Sequence, residues 1–518
     1  MAPAEPNALP FRQKGEEPYF AEERKGWKGY VEWEKYPEKK KKAGEILNNY
    51  DFPVPPEFQL NPLPKTNPIL TGERFKQYHY ALGPTLKDIP DISWKYVLAE
   101  KSPDMIHVLQ FPYNGEPPGK RLVETELTNN KDHFVRNHGG IPEIDPAEFS
   151  IDISGLVNNP KRLTLADLQN EELFPRQSNV VSLQCSGTRR IEQINQYPGD
   201  GDELINAPWG EGAIGTARWT GVSLKKVIKY CGGLKDGADN LEFYGADTYV
   251  KKGQLYNYVV SVPWRKVKVN EVLLAWEMNG EPLPKIHGFP LRTVVFGYIG
   301  ARSCKWLYEV RAIKGPSQAP VQKKEYLYYT PQVGKQNAQY SNGFSIQDMP
   351  VSSAIMEPKD MDPIIHDGHI KLRGWAYSGH WPVRVEVSGD GGSVWYEVPP
   401  ANLSTKYFHA WRLWEIDMPV DAEGWLEFCV RTWDNALNTQ PTFVRSAWNW
   451  DLHVTSSCHR INIYSMNRSR PVTAKRLRML EDKGLPIIPI THPLEIDLES
   501  DEDYEAAMDA MGGRDPEE

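Results

Sequence analysis

Hydrophobic and polar positions alternate along the chain with periods that separate strands from helices. Residues 149–157 alternate with the period of a strand, and 272–278 followed by Asn279 and Gly280 predict a strand and a tight turn. Residues 164–168 and 222–233 have helical spacing, and the second segment ends in glycine. Between residues 101 and 344 the pattern therefore predicts one mixed α and β domain.

The pattern becomes all-β between residues 345 and 465. Apolar and polar residues alternate in 370–376, 383–387 and 426–430, and the turn-forming residues 390–392 lie between two of these segments. Short strands joined by turns at this spacing predict an immunoglobulin-like β-sandwich. The fold class predicted for the whole chain is accordingly α+β.

The two ends of the chain differ from these domains. Residues 1–100 are rich in Pro, Lys and Glu, which predicts an irregular N-terminal arm packed on the body. Its basic run, residues 39–42, is interpreted as a solvated helix end or loop in preference to a nuclear-import segment. Residues 466–518 are predicted to hold a helix over 473–483 and an acidic, disordered tail.

Composition narrows the class of protein. The net charge is −9, whereas nucleic-acid binders usually carry a basic excess, so no nucleic-acid partner is predicted. No apolar run of about 18 residues is present, so no membrane partner is predicted. The first residues hold no apolar secretory segment, and the cytoplasm is the default expectation. The spacing of the cysteines predicts neither a disulfide framework nor a structural zinc site; they are Cys185, Cys231, Cys304, Cys429 and Cys458.

One cysteine lies in a setting suited to chemistry. The apolar segment 180–184 ends at Cys185, which precedes Gly187 and the pair Arg189 and Arg190. Nearby cations favour the thiolate, the form of cysteine that binds metals or attacks as a nucleophile. The alternative, a buried and inert cysteine, stays open on these residues alone.

Two further segments combine cations with flexible backbone. Residues 134–138 join an arginine, an amide and an imidazole before two glycines, which suits an oxyanion or phosphate group. Residues 287–292 and 300–306 add arginines and a lysine beside glycines whose amides can approach an anion. The glycine-rich templates of nucleotide-binding loops are absent from the sequence.

Taken together, these segments resemble the sulfite oxidase family. The family's Phe-x-Arg-Asn-His, Leu-Gln-Cys-x-Gly-x-Arg-Arg and Ala-Ile-x-x-Ala-Arg-Trp segments correspond to 134–138, 183–190 and 213–219. Its Met-Asn-Gly stretch, which runs on to Lys-Trp-Leu, corresponds to 278–307. The four motifs occur in the family's order, and the similarity covers residues 106 to about 461. It implies a sulfite oxidase fold for the first domain and a dimerisation role for the sandwich.

The resemblance also implies a cofactor. In the family, a molybdenum ion is held by a molybdopterin dithiolene and by one cysteine, to which Cys185 corresponds. The sequence has no haem-binding His-Pro-Gly-Gly segment and no flavin module after the sandwich, so neither haem nor flavin is expected, and electrons would pass to oxygen or to an external carrier. The pterin and its phosphate would be held by Phe134, Arg136, Asn137, His138, Asp247, His287, Arg292, Ser303, Cys304 and Lys305.

The resemblance further implies an anion pocket and a reaction. The pocket residues would be Arg136, Arg190, Trp209 and Tyr326. The implied reaction is the oxidation of sulfite to sulfate by oxygen-atom transfer, in a homodimer joined through the sandwich. Relatives occur in mitochondria and peroxisomes as well as in the cytosol.

One position departs from the family's pattern. Sulfite-oxidising members carry a third pocket arginine where this chain has Asp451. There are three explanations. Either another residue takes the place of that arginine, with His453 and Arg460 as candidates, or the local alignment slips, or the substrate is not sulfite. The alternative functions are therefore action on another small oxyanion, as in nitrate reductases, and a catalytically silent relative.

Overall fold

A computed structural model describes most of the chain. The described residues are 94–109, 112–196, 207–251, 254–334 and 337–487, with residues 19, 27–28 and 81–82 besides. Most of the predicted N-terminal arm, its basic run and the acidic tail therefore lie outside the described residues. Within them, no helix is both long and apolar enough to cross a membrane.

The helices of the described chain are short. They are α1 (Trp94–Glu100), α2 (Gly119–Leu122), α3 (Leu165–Gln169), α4 (Arg190–Gln196), α5 (Leu224–Tyr230), α6 (Trp264–Lys268), α7 (Pro320–Lys324) and α8 (Pro471–Asp482). The predicted helices over 164–168, 222–233 and 473–483 correspond to α3, α5 and α8. Single 3-10 turns at Lys285–His287 and Gly300–Arg302 carry further residues of the candidate site.

Strands hold more residues of the described chain than helices do. Those of the first domain are β1 (Trp27–Lys28), β2 (Ala81–Leu82), β3 (Ile106–Leu109), β4 (Asn114–Glu116), β5 (Val135–Arg136), β6 (Glu143–Ile144), β7 (Ser150–Gly155), β8 (Lys161–Thr164), β9 (Arg176–Gln184), β10 (Ile214–Ser223), β11 (Asn240–Lys251), β12 (Gln254–Pro263), β13 (Val272–Met278), β14 (Glu281–Pro282), β15 (Arg292–Val295), β16 (Leu307–Ile313), β17 (Leu327–Tyr328) and β18 (Phe344–Ser345). Those that follow are β19 (Ser352–Glu357), β20 (Pro363–His366), β21 (His369–Tyr377), β22 (Pro382–Ser388), β23 (Tyr396–Glu397), β24 (Arg412–Pro419), β25 (Gly424–Asp434) and β26 (His459–Asn467).

Two five-stranded sheets form the body of the first domain. One has the order β12-β11-β16-β7-β8, and the other has the order β14-β13-β10-β9 with β15 paired to β13. On β7, Ile151 and Ile153 are fully buried and alternate with less buried polar residues, as the strand period predicts. The predicted turn at Asn279 and Gly280 is confirmed, since both have positive φ and join β13 to β14. The mixed α and β prediction is therefore correct.

The second part is a β-sandwich, as predicted. Its sheets have the orders β19-β21-β24 and β20-β26-β25-β22-β23, and the apolar residues between them form one core. The alternation predicted for 383–387 holds for Val385 and Val387, which are fully buried, but Val383 is 41% exposed. The register between β22 and β25 shifts between Pro382 and Arg384, so Val383 does not continue the buried row.

The sandwich contacts the end of β9 directly. The Ser182 amide donates to the carbonyl of His409 at 2.9 Å, and its carbonyl accepts from the Tyr377 hydroxyl at 3.1 Å. The Trp411 amide donates to Ser182 Oγ at 2.8 Å. Residues of the second domain thus hold the last residues of β9 before Cys185 in place. The domain limit predicted between 344 and 345 falls inside β18, and the limits of the four segments stay predictions.

Candidate active site

Cys185 lies in a tight turn at the end of β9. Its amide donates to the carbonyl of Ala213 at 2.9 Å, and the hydroxyl of Thr188 bridges the carbonyls of Cys185 and Ala213. The Gly187 amide points at Cys185 Sγ from 3.3 Å. Because these backbone groups are held by the neighbouring β10 segment, the thiol has a defined position at the strand tip.

The two arginines after Cys185 point to different partners. Arg189 has a φ of 65°, which places its backbone in the left-handed region just before α4 begins at Arg190. Arg189 pairs with both carboxylate oxygens of Glu192, at 2.5 and 2.6 Å, and donates to backbone carbonyls near the sandwich. Arg190 donates to the carbonyls of Leu452 and Ala207 at 2.8 and 2.6 Å. A Cβ at Gly187 would lie 2.6 Å from the Arg190 guanidinium, so any larger residue there would displace the guanidinium.

A cavity opens beside Cys185. It encloses about 640 Å³, including its open mouth. Most of the residues predicted for the site lie on its walls, although they come from segments far apart in the chain. These lining residues are Phe134, Arg136, His138, Cys185, Asp247, His287, Arg292, Ser303, Lys305 and Tyr326.

One part of the cavity wall combines the guanidinium of Arg136 with the phenol of Tyr326, which is hydrogen-bonded to His138. The Tyr326 hydroxyl lies 2.5 Å from His138 Nε2, and the His138 ring packs against Tyr258 with a centroid distance of 4.6 Å. Burial raises the pKa of Tyr326 above its usual range, and Arg136 offsets only part of this, so the phenol stays protonated at neutral pH. For Arg136, burial lowers the pKa, but Tyr326 and Cys185 outweigh it and the net shift is upward. This wall therefore presents a permanent cation and a neutral hydroxyl.

Another part of the cavity lining comes from the turn at Lys285–His287 and from β15. Arg292 donates to the carbonyl of His287 at 2.9 Å, and its guanidinium lies 4.8 Å from the centre of the Trp219 ring. Lys305 contacts the Asn137 side chain and donates to the carbonyl of Ile286 at 3.2 Å. Burial lowers the pKa of Arg292 to about 10, which still leaves it charged at neutral pH.

Four predicted site residues do not line this cavity. Asn137 lies behind the wall and accepts a hydrogen bond from Lys305. Cys304 is fully buried, with its Sγ beside Gly245 and the carbonyl of Lys305. Trp209 is also fully buried, edge-on to Phe134 at 6.4 Å, and Arg190 is held by backbone carbonyls as described above. These four residues lie near the cavity without lining it, and their predicted roles stay predictions.

Asp451, which departs from the family's pattern, lies beside His453. Asp451 Oδ2 lies 3.2 Å from His453 Nε2, and both side chains are buried and are not among the cavity-lining residues. His453 Nδ1 lies 3.0 Å from Ser186 Oγ and 3.3 Å from Arg190 Nη2. Arg460 instead pairs with Glu427 on the sandwich sheet. Of the two candidate replacements, His453 is therefore the one that contacts Arg190.

The cavity suits an anionic pterin group with a metal bound to sulfur. The Asn137 Nδ2 and Asp247 Oδ1 atoms are buried and have no hydrogen-bond partner among the described residues. Burial raises the pKa of Asp247 to about 7, against the lowering effects of Lys305 and Arg136. Unpaired buried polar atoms are costly, and a ligand with amide-like donors would satisfy the oxygen of Asp247, which lines the cavity. Arg136, Arg292 and Lys305 would compensate a phosphate, and the Cys185 thiolate is a soft metal ligand.

Some residues of the site were not predicted from the sequence. Tyr258 lines the cavity and donates to the carbonyl of Ala301 at 2.7 Å. It lies on β12 in an ordinary alternating segment, so the pattern does not distinguish it from a core tyrosine. Lys101 contacts His287 and is the first residue of the predicted catalytic domain, directly after the irregular arm, and nothing in its local sequence indicates a buried position.

Comparison with family models divides the chain into two matched regions. Residues 138–321 match the oxidoreductase molybdopterin binding domain, and residues 343–466 match the Mo-co oxidoreductase dimerisation domain. Both predicted domain types are therefore confirmed, and the first match contains Cys185 and most of the cavity wall.

Individual relatives extend this likeness. The chain is 36% identical over 362 residues to mitochondrial sulfite oxidase of Homo sapiens, covering 68% of this chain and 65% of that protein. It is 33% identical over 371 residues to sulfite oxidase of Arabidopsis thaliana, covering 68% of this chain and 91% of that protein. The chain thus spans about two thirds of the length of the human relative. The crystal structure of the sulfane dehydrogenase SoxCD from Paracoccus pantotrophus has a similar fold, with a TM-score of 0.55, 22% identity and coverage of 71% of this chain and 86% of that chain.

Proposed function

This chain belongs to the sulfite oxidase family, and from that premise we propose that it oxidises sulfite to sulfate as a molybdopterin-dependent oxidoreductase. The observation that carries the proposal is the placement of Cys185, Arg136 and Tyr326 around one cavity. A thiolate is a donor suited to molybdenum, and a guanidinium is suited to a small oxyanion. Oxygen or an external carrier would take the electrons.

Different residues of the cavity would bind the metal and the pterin. Cys185 would bind the metal, and His287, Arg292, Ser303 and Lys305 would hold the pterin and its phosphate. When bound, the molybdenum–pterin group supplies oxygen-atom transfer and two-electron redox chemistry. The buried wall around Asp247 would orient the group, because a buried polar side chain offers few alternative hydrogen-bonding positions.

The substrate side of the cavity would bind and orient the anion. Arg136 would hold a small oxyanion by hydrogen bonds that are strengthened by charge. The Tyr326 hydroxyl, fixed by His138 at 2.5 Å, would keep a neutral donor beside it. In the overall reaction sulfite and water give sulfate, two electrons and two protons. The Asp451 carboxylate stands 3.2 Å from His453 and off the cavity wall, so it would not oppose the bound anion directly.

A steady-state assay tests the function. Metal-loaded protein would be assayed with sulfite and one electron acceptor at a time. The acceptors are ferricyanide, cytochrome c and oxygen. We expect turnover with sulfite and at least one of these acceptors, and little with nitrate and a reduced dye. Turnover that requires nitrate and the dye would favour the nitrate-reductase-like alternative, and a loaded protein inactive in both assays would favour the silent relative.

Arg136 provides a direct test of anion binding. We expect Arg136→Gln to raise KM for sulfite by about ten- to a hundredfold with a smaller change in kcat, since a hydrogen bond to a charged partner contributes roughly 1.5–3 kcal/mol. Arg218→Gln is the matched control, because Arg218 is exposed on β10. Equal KM values in Arg136→Gln and the unmodified protein would contradict the assigned role.

The sandwich is proposed to join two copies of the chain. The match of residues 343–466 to a dimerisation domain supports this, and most soluble homo-oligomers have two-fold symmetry. Sedimentation velocity at micromolar concentration is expected to give twice the mass of one chain. A single-chain mass throughout that range would show that this sandwich does not dimerise.

A further inference from the structure

Lys101 is a buried lysine that contacts His287, one of the residues lining the cavity. It follows α1 directly, and it is 5% exposed. Its Nζ lies 2.8 Å from the carbonyl oxygen of Asn130, 2.5 Å from that of His133 and 3.1 Å from His287 Nε2. A buried lysine is rare unless its donors are satisfied, and here the three neighbouring atoms match the three N–H groups of an ammonium.

The end of α1 also holds the turn that carries His287. The Glu100 carboxylate accepts the amides of Lys285 and Ile286, each at 2.9 Å. Glu100 thus fixes the backbone of the 3-10 turn, while Lys101 contacts the imidazole at its end. Both residues precede the matched molybdopterin-binding region, which begins at residue 138, so the family match assigns them no role.

The contacts of Lys101 constrain the hydrogen on the imidazole. Two of the three atoms around Nζ are carbonyl oxygens, which only accept, so the third N–H of the ammonium is directed at His287 Nε2. A ring nitrogen that accepts carries no hydrogen, and the hydrogen of a neutral imidazole must then be on Nδ1. Burial, together with Lys101 and the neighbouring His133, holds the pKa of His287 well below its usual range, so the ring is neutral.

We propose that Lys101 is a positioning residue that fixes His287 as the Nδ1-H tautomer and so presents a donor to the phosphate end of the pterin. His287 lines the cavity, and its ring contacts Lys101 through Nε2, so that Nδ1 is the ring nitrogen left for a ligand. A phosphate offers acceptor oxygens, so a protonated Nδ1 would bind it and an unprotonated one would repel it. The inference rests on the pterin cofactor of the proposed function but not on the identity of the substrate.

The hydrogen can be located by nitrogen NMR. The chain has 12 histidines, so protein labelled with ¹⁵N only in histidine gives a small set of ring signals, and His287→Gln identifies those of His287. Burial lowers the pKa of Lys101 to about 7, so spectra are recorded at about pH 6, where Lys101 is an ammonium. We expect a protonated Nδ1 and an unprotonated Nε2 in the metal-loaded protein. A protonated Nε2 would overturn the proposal.

Removal of the ammonium tests the consequence for the cofactor. In Lys101→Met we expect His287 to lose its single tautomer, and bound pterin to be released about tenfold faster on dilution, as for other outer-shell partners of a ligand. Pterin is measured by the fluorescence of its oxidised form, and Lys131→Met is the control, since Lys131 is exposed nearby. An unchanged tautomer and unchanged release in Lys101→Met would refute the proposal. Should that variant not fold, the spectrum of the unmodified protein decides alone. None of these measurements uses sulfite, so their outcome is independent of the substrate assignment.

Discussion

Cys185→Ser is expected to lower turnover with sulfite by at least about a hundredfold, because even outer-shell partners of a metal ligand cost ten- to a hundredfold when they are removed. A serine hydroxyl is a much weaker acid than a thiol, so it does not supply the anionic soft ligand that the metal requires. The measurement is steady-state turnover, together with the molybdenum and pterin contents per chain.

The pterin content distinguishes loss of the ligand from loss of the fold. The remaining wall, including Arg292 and Lys305, is unchanged in Cys185→Ser, so we expect pterin to be retained. Cys231→Ser makes the same chemical change at another buried cysteine, which ends α5 away from the cavity. That control should keep its turnover. Full activity in Cys185→Ser would contradict the assignment of the metal ligand.

Arg189→Met is expected to lower the free energy of unfolding by about 3 kcal/mol, because it removes a buried guanidinium and leaves the Glu192 carboxylate, which is only 14% exposed, without this partner. The Arg189 side chain is fully buried and pairs with both oxygens of Glu192. It also donates to the carbonyls of Ser353 and Ser457 at 3.1 and 2.8 Å, so it connects the turn after Cys185 to the sandwich. Urea unfolding, followed by fluorescence, measures the change.

A surface pair provides the control for this prediction. Arg162 donates to both carboxylate oxygens of Asp152, but its side chain is 69% exposed. Arg162→Met should cost about 1 kcal/mol or less, since solvent screens an exposed pair. Equal losses in the two variants would show that Arg189 does not couple the domains. In Arg189→Met the sandwich should also unfold at a lower urea concentration, because its contact with the first domain is weakened.

The candidate site was predicted from the sequence to an unequal degree. The motifs around Cys185, Arg136, Arg292 and Lys305 are far apart in the chain, and these four residues all line the same cavity. The motifs do not state which neighbouring residues face that cavity. Cys304 follows Ser303 directly, yet its side chain packs into the core while Ser303 lines the cavity. Sequence proximity to a motif therefore does not determine which way a side chain points.

The sequence by itself determined the fold class, the strand and helix periods, and the cysteine at the tip of a strand, because these depend on local patterns and on motifs of fixed spacing. Only the tertiary structure decided that Arg189 faces Glu192, that His453 adjoins Arg190, and that Lys101 contacts a histidine 186 residues away. The physical reason is that a buried polar group takes its partners from whichever segments the fold brings beside it. Those segments are distant in the chain, and their contacts leave no period or spacing in the sequence.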